Sequence, residues 1–309
     1  MGELSERAVI VTGAGRGIGA AVAEGLAAEG ACVLVNDLGV ELDGSAGDAG
    51  PAQEVADRIV AAGGVAIADP TDVTDFAAVE KMIQRTVDAF GRIDVLVNVA
   101  GILRDGMIFK MAEEQWDAVI EVHLKGTFNT TRHASAWWRE HRGGEYRLIN
   151  FTSASGLYGA PSQPNYAAAK MGIVGLTMSC ANALKQYGVT SNAVSPIATT
   201  RMTMNIQQGR AIGQYTPENE RLNARNVVPA VAYLASERSG WLNRRVITAG
   251  NGRIGLMNEP DLLREIVASD GVWDTASTFN EIESTFRAAI EYPNIFDRPR
   301  ACLSVVICG

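Results

Sequence analysis

Short apolar runs alternate along the chain with longer stretches that carry apolar residues on one helical face. Residues 8–12 (AVIVT), 31–36 (ACVLVN), 65–69, 93–97 (IDVLV), 147–152 and 189–194 predict six strands. Helices are predicted between them at 18–29, 51–62, 75–90, 113–141 and 165–187, with 113–141 holding one long helix or two. Gly30 suits the position just past a helix end, and Pro51 suits a first helical turn. A further helix near 226–235 and a strand near 245–248 follow. The strands read as continuous apolar blocks, as burial on both faces requires, so the expected fold is α/β with a doubly wound parallel sheet and helices on both faces. Residues 38–50, rich in Gly and Asp, read as a surface loop. From residue 258 the pattern changes to two helical segments, 260–268 and 278–291, then a Pro-punctuated stretch and an apolar end, LSVVICG. The expected organisation is one catalytic domain, 1–257, and a partly helical extension, 258–309.

Composition narrows the function classes. The 309 residues fit one large α/β domain with an addition, and 47% apolar residues suffice for a substantial core. A net charge of −8 without a basic stripe argues against nucleic acid as partner. Residues 1–7 are acid-bearing and lack an apolar core, unlike a signal peptide, and no apolar run of membrane-spanning length is evident. A cytoplasmic protein without a membrane partner is expected. The four cysteines form no C-x-x-C pair, and the histidines are His123, His133 and His141, so no metal site is expected. Cys32, in an apolar run, reads as a small buried hydrophobe, and structural disulfides are not expected.

Candidate chemistry begins at Thr12-Gly13-Ala14-Gly15-Arg16-Gly17-Ile18-Gly19, between the first strand and first helix. A turn of this kind gathers free backbone N–H groups and the positive helix end at one point, which suits a pyrophosphate. An ordinary glycine-rich loop would look similar. Its place after the first strand, with Asp37 eighteen residues beyond Gly19, points to a dinucleotide. Asp37 can accept from ribose hydroxyls and would repel a 2′-phosphate, favouring NAD over NADP. Arg16 pulls towards NADP. As a bland alternative, Asp37 serves the turn before Leu38-Gly39.

Tyr166 and Lys170 share one face of the predicted helix, and of seven tyrosines only Tyr166 has a lysine four residues on. A phenol with an ordinary value of about 10 is a poor acid or base near neutrality, and a nearby ammonium would lower that value. Ser153, thirteen residues upstream, stands just past the fifth strand, at the sheet edge where such folds bind ligands. A solvated helix edge would also accommodate Tyr166 and Lys170.

Thr12–Gly19, Asn98-Val99-Ala100-Gly101, Ser153, Tyr166-Ala167-Ala168-Ala169-Lys170 and Ser195-Pro196 occur in order. Over residues 5–257 the chain resembles the short-chain dehydrogenase/reductases. The resemblance implies a Rossmann-type fold, a nicotinamide cofactor and Ser–Tyr–Lys chemistry, with Lys170 also contacting the nicotinamide ribose. It implies that Asp72 of Asp72-Val73 contacts adenine, that Asn98, Ala100 and Gly101 lie along the cofactor, and that Pro196, Ile197 and Thr200 lie near the carboxamide. Asn36–Gly39, Ala100–Asp105, Val122-His123-Leu124, Thr152–Gly159 and Arg201-Met202-Thr203 are similar to (3R)-hydroxyacyl-CoA dehydrogenase units of multifunctional peroxisomal enzymes and to actinobacterial relatives acting on acyl-CoA or steroids. There are departures. Val99 stands where many members have Asn, Ile197 where many have Gly, and His123 where many have a catalytic Asn. The multifunctional type shares His123, which either holds water in a proton relay or simply packs in its helix.

Residues 199–225 are expected to form the flap over the substrate, with Met202, Met204 and Ile206 followed by Arg210, Arg221 and Arg225. Methionines suit a pliable apolar pocket and arginines suit phosphates, as an acyl-CoA would require; a solvated loop is the alternative. Trp137-Trp138 reads as core or subunit interface. The resemblance implies a homodimer or homotetramer formed through the long helices at 113–141 and 165–187. The expected activity is NAD-dependent interconversion of a secondary alcohol and ketone on a 3-hydroxyacyl-CoA or hydroxysteroid. An NADPH-dependent 3-ketoacyl thioester reductase and a cofactor-binding scaffold or sensor with weak turnover are the alternatives.

Overall fold

The computed structural model describes residues 2–41, 43, 45, 50–198, 220–260, 265–267 and 275–290. The chain falls into two compact units, Met1–Met257 and Asn258–Gly309. In the first, the strands are β1 (Ala8–Thr12), β2 (Cys32–Asn36), β3 (Val65–Asp69), β4 (Val95–Asn98), β5 (Tyr146–Phe151), β6 (Val189–Ile197), β7 (Val246–Gly250) and β8 (Arg253–Leu256). They form one sheet in the order β3-β2-β1-β4-β5-β6-β7-β8. Every pairing is parallel except that of β7 with β8. β1 pairs with β2 on one side and β4 on the other, so the chain reverses direction across the sheet at β1 and leaves a crevice at its carboxyl end.

The fully buried runs of β1 and β4 match the apolar blocks that predicted them, while β5 is equally buried but carries Arg147 and Asn150. β8 is an addition to the expected strands. Its Ile254 and Leu256 are exposed, so no buried run announces it. It returns beside β7 through Asn251-Gly252, both at positive φ (51° and 68°), as a two-residue hairpin requires.

Helices α1 (Gly17–Ala28), α2 (Gly50–Ala61), α3 (Phe76–Phe90), α4 (Glu113–Ile120), α5 (Gly126–Glu140), α6 (Ala154–Tyr158), α7 (Pro164–Leu184) and α8 (Val228–Ala235) complete the first unit. The stretch predicted as one helix or two is a single run, α4 and α5 joined through a π-helical turn at Glu121–Lys125. The short α6 was not expected from periodicity, since five residues are too few to show any. In the second unit, α9 (Thr275–Ile290) covers most of the predicted 278–291 helix, while most of 260–268 and all of LSVVICG lie outside the described residues.

Two cores flank the sheet. One lies under α1, α2 and α8 and includes Val9, Val11, Val33, Leu26 and Val231. The other lies under α3 and α5 and includes Ile10, Leu34, Met82 and Trp138. The span Pro164–Tyr187 is long and apolar enough to cross a membrane, with mean hydropathy 1.2, which corrects the expectation of no such run. Its apolar character serves packing: α7 lies against β5, β6, α4 and α5 and buries Ala169, Ile173, Val174 and Ala181. Of the tryptophan pair, Trp138 is core. Its ring is fully buried, stacks on Tyr146 at 5.6 Å, and donates from Nε1 to Ile93 O at 2.9 Å. Trp138→Ala should cost about 3–5 kcal/mol, from the cavity and the orphaned Ile93 carbonyl. Urea unfolding measures this, and a loss under 1 kcal/mol would contradict the packing described.

Candidate active site

The glycine turn sits at the crevice because side chains are missing where backbones meet. Gly13 has φ 63°, and a Cβ there would stand 2.6 Å from Ala100 Cα. Thr12 Oγ1 accepts from Val99 N at 3.1 Å and Ala100 N at 3.2 Å, drawing the loops after β1 and β4 together. Arg16 is the N-cap of α1 yet supplies no capping side-chain bond, and the first turn carries no acid. The leading N–H groups of α1 and the positive end of its dipole therefore face the crevice without a side-chain partner.

A cleft of about 430 Å³ opens there. Gly13, Arg16, Gly17, Ile18 and Gly19 line it from the turn, and Asp37, Asp72 and Val73 from the ends of β2 and β3. Ala100 and Gly101 line it from the β4 loop, and His123, Tyr166, Lys170 and Pro196 close its far side. The structure thus brings most of the residues singled out by sequence into one space. Val40, Glu41, Thr71 and Arg104 also line it and were not anticipated. Arg104 lies inside the Ala100–Asp105 resemblance, which is the signal that could have found it.

Asp37 is held by two backbone donors, Gly15 N to Oδ2 at 2.8 Å and Gly39 N to Oδ1 at 2.7 Å. Each oxygen keeps lone-pair capacity for a hydroxyl. Arg16 has an acidic neighbour, with Nη1 3.8 Å from Glu41 Oε1. Asp72 accepts from Thr74 N, and Asn129 Nδ2 donates to Val73 O at 2.8 Å, fixing the adjoining loop.

Three residues expected at the site, Ser153, Asn98 and Ile197, are not part of the cleft lining. The Asn98 side chain is turned into the interior, donating to Asn150 Oδ1 at 2.9 Å and accepting from Thr130 Oγ1 at 2.7 Å. It does not line the cleft; it ties β4 to β5 and α5. Ile197 closes β6 and likewise lies off the cleft lining. Thr200, and with it Met202, Met204, Ile206 and Arg210, lies outside the described residues. Arg221 and Arg225 fall in short 3₁₀ turns beyond them.

Tyr166 is in the first turn of α7, which begins with Pro164. Asn165 anchors that turn: its Nδ2 donates to Arg104 O and Gln115 O, both at 2.9 Å, and its Oδ1 accepts from Tyr166 N at 2.8 Å. Lys170 is buried, with Nζ donating to Phe151 O at 2.8 Å and lying 5.6 Å from the Tyr166 ring centre. Ser153 caps α6, and its Oγ accepts from Ser155 N at 3.2 Å. The His123 ring meets Tyr166 edge-on at 5.0 Å. Its Nε2 lies 2.8 Å from Ile102 O and 3.1 Å from Ile102 N, and its buried Nδ1 has no partner among the described residues. Gly101 makes room for it, because a Cβ there would collide with the imidazole. Gly101, expected from the sequence along the cofactor, lines the cleft and leaves the space that His123 fills.

Burial governs the protonation of the group. It pushes the Tyr166 phenol up to about 12, with a hydrogen bond from Ser153 pulling down and Asp105 adding to the rise. It pulls the Lys170 ammonium down to about 7. His123 is held well below 6.5 by burial and by Lys170, against an opposing bond to Ile102, so the imidazole is neutral at neutral pH. Without a further positive charge in the cleft, the phenol keeps its proton. Lys170, lowered when folded, binds fewer protons than in the unfolded chain between about 7 and 10.5, so stability rises with pH across that window and the full cost persists below it. Lys170→Met should therefore stabilise the fold at pH 6, and its advantage should shrink by about 2 kcal/mol between pH 7 and pH 9. Urea melts at the two pH values measure this; a pH-independent difference would contradict the burial argument.

Comparisons with known proteins agree with this geometry. Residues 7–211 match the short chain dehydrogenase family. The chain is 39% identical to "Hydroxyacyl-CoA dehydrogenase ChsB1" of Mycobacterium tuberculosis over 295 residues, covering 92% of this chain and 89% of that protein. It is 38% identical to the mouse "Peroxisomal multifunctional enzyme type 2" over 263 residues, which is 84% of this chain but 34% of that much longer protein. A solved structure of a short chain dehydrogenase from Mycobacterium avium superposes with a TM-score of 0.81 at 42% identity, covering 93% of this chain and 96% of the other. With a doubly wound sheet, a glycine turn at its crevice and Ser153, Tyr166 and Lys170 beside it, this chain belongs to the short-chain dehydrogenase/reductase family of NAD(P)-binding oxidoreductases.

Proposed function

We propose that this protein oxidises a secondary alcohol with NAD, and that the alcohol is a 3-hydroxyacyl-CoA or a hydroxysteroid. The observation that carries the reading is that Tyr166, Lys170, His123 and the uncapped start of α1 line one cleft. The residues present fit a dinucleotide. The leading N–H groups of α1 suit a pyrophosphate, and Asp37 suits ribose hydroxyls. Asp37 and Glu41 together would repel a 2′-phosphate, while Arg16 already has Glu41 beside it, which supports NAD over NADP. When bound, the nicotinamide supplies the hydride acceptor.

The chain's own residues then handle the oxygen and its proton. Ser153 donates to the substrate oxygen and holds it. Tyr166 takes the hydroxyl proton as a phenolate. Lys170 supplies the positive charge that favours the phenolate and reaches the ribose. The substrate class rests on the likeness to the hydroxyacyl-CoA dehydrogenase and to the multifunctional enzyme. We also infer a homodimer or homotetramer, supported by exposed Trp116, Phe128 and Met171 on α4, α5 and α7; light scattering that finds only monomer would overturn this.

The test follows nicotinamide absorbance with NAD or NADP and a panel of (3R)-hydroxyacyl-CoAs and hydroxysteroids. Turnover is expected with NAD, and Tyr166→Phe should lower kcat by roughly 10³-fold or more, as loss of a general base does. Asp37→Ala should narrow the preference for NAD. An unchanged rate in Tyr166→Phe would sink the assignment. Tight NAD binding with no turnover on any substrate would favour the scaffold or sensor reading.

A further inference from the structure

Behind Ser153 runs a chain of polar side chains that the reaction outlined above does not use. Ser155, in the first turn of α6, gives its backbone N–H to Ser153 Oγ at 3.2 Å and its hydroxyl to Gln163 Oε1 at 2.8 Å. Gln163 Nε2 donates to both carboxylate oxygens of Asp105, at 3.1 and 3.2 Å. The direction of this chain is fixed by chemistry. A carboxylate only accepts, so the amide nitrogen of Gln163 must face Asp105. Its oxygen must then face Ser155, and the Ser155 hydroxyl must donate towards it. That leaves the Ser155 N–H to occupy one lone pair of Ser153 Oγ, and the Ser153 proton free to be given forward.

Gln163 is also where the two halves of the site meet. It is buried at 3% exposure and immediately precedes α7, with Ala167 N donating to its carbonyl at 2.8 Å. Its side chain reaches back to the first turn of α6. Asp105 is tied into the same place, since Gly106 N donates to Ser162 O at 2.8 Å and Asn165 holds Arg104 O. The β4 loop, the start of α6 and the start of α7 are thus joined through one amide. We propose that Gln163, oriented by Asp105, is a positioning residue that sets the hydroxyl of Ser153 against the phenol of Tyr166. The proposal rests on the roles given to Ser153 and Tyr166 above.

The electrostatics agree. Ser153 holds the phenol's proton affinity down while Asp105, outside the cleft, raises it. The other groups facing the phenol are Lys170 on its own helix and the neutral His123 from the π-helical turn. Asp105 itself is pushed up by partial burial of its carboxyl and held back by the hydrogen bond from Gln163. Disturbing Gln163 should therefore act on Tyr166 in the same direction as removing the Ser153 hydroxyl.

The experiment is a double-mutant cycle with Ser153→Ala and Gln163→Leu, and with Gln163→Glu as a near-isosteric second variant that sets a carboxylate against Asp105. Gln163→Leu should lower kcat about 10–100-fold, as misplacement of a reacting group does, with NAD affinity and KM changed less than threefold. In the Ser153→Ala background it should add less than threefold. Titration of Tyr166, followed by NMR of ring-labelled tyrosine in the cofactor-free protein, needs no turnover. Its midpoint should rise in Ser153→Ala and in Gln163→Leu, and no further in the double variant, with Tyr166→Phe identifying the signal. An unmoved midpoint in both Gln163 variants, or effects that add in the double variant, would overturn the proposal. Failure of the reaction assignment itself would appear separately, as turnover that survives Tyr166→Phe.

Discussion

The site depends on how closely two loops approach at the carboxyl end of β1 and β4. A parallel sheet leaves the N–H groups beyond its strand ends unpaired, and here the Thr12 hydroxyl accepts two of them, from Val99 and Ala100. The missing Cβ at Gly13 lets the backbones come together. Everything in the cleft is referred to this contact: the start of α1 on one side, and on the other Gly101, which leaves the space His123 fills. The interior hydrogen bonds of Asn98 hold the end of β4 in place for the same purpose.

A second constraint is the removal of water from Tyr166 and Lys170. Burial alone moves both groups towards their neutral forms, the reverse of what proton abstraction from an alcohol needs. The fold therefore stores an electrostatic deficit at this point. Positive charge brought by an oxidised nicotinamide is well matched to it, because a phenolate beside such a charge would let Lys170 keep its proton. The cost of burying Lys170 appears in the stability of the free protein.

Much of the layout was legible in the sequence because it is written in local patterns. Continuous apolar blocks marked the central strands, and the glycine turn marked the crevice. Tyr166, Lys170 and Ser153 were visible through spacing together with resemblance. What escaped depends on tertiary context. Asn98 has the right position for a cofactor contact, but the direction of its side chain is set by Asn150 and Thr130, far along the chain. Gln163 carries no pattern of its own, and Asp105 only closes the Ala100–Asp105 resemblance; the two become a pair only when the β4 loop meets the start of α7. β8 lacks an inward face, yet its Asn-Gly turn was there to be read.

The π-helical turn at Glu121–Lys125 has a consequence for how this helix can change length. Such a turn holds one residue more than an α-helical turn would, and each helical residue advances the direction of its side chain by about 100°. Deleting a single residue there would restore regular winding and swing α4 by about that angle relative to α5. Buried Val119 would leave its packing, and His123 would turn away from Tyr166. The surplus residue is thus a phase adjustment: it lets one continuous rod present its sheet-facing side along α5 and its site-facing side along α4, which a regular helix of the same length could not do.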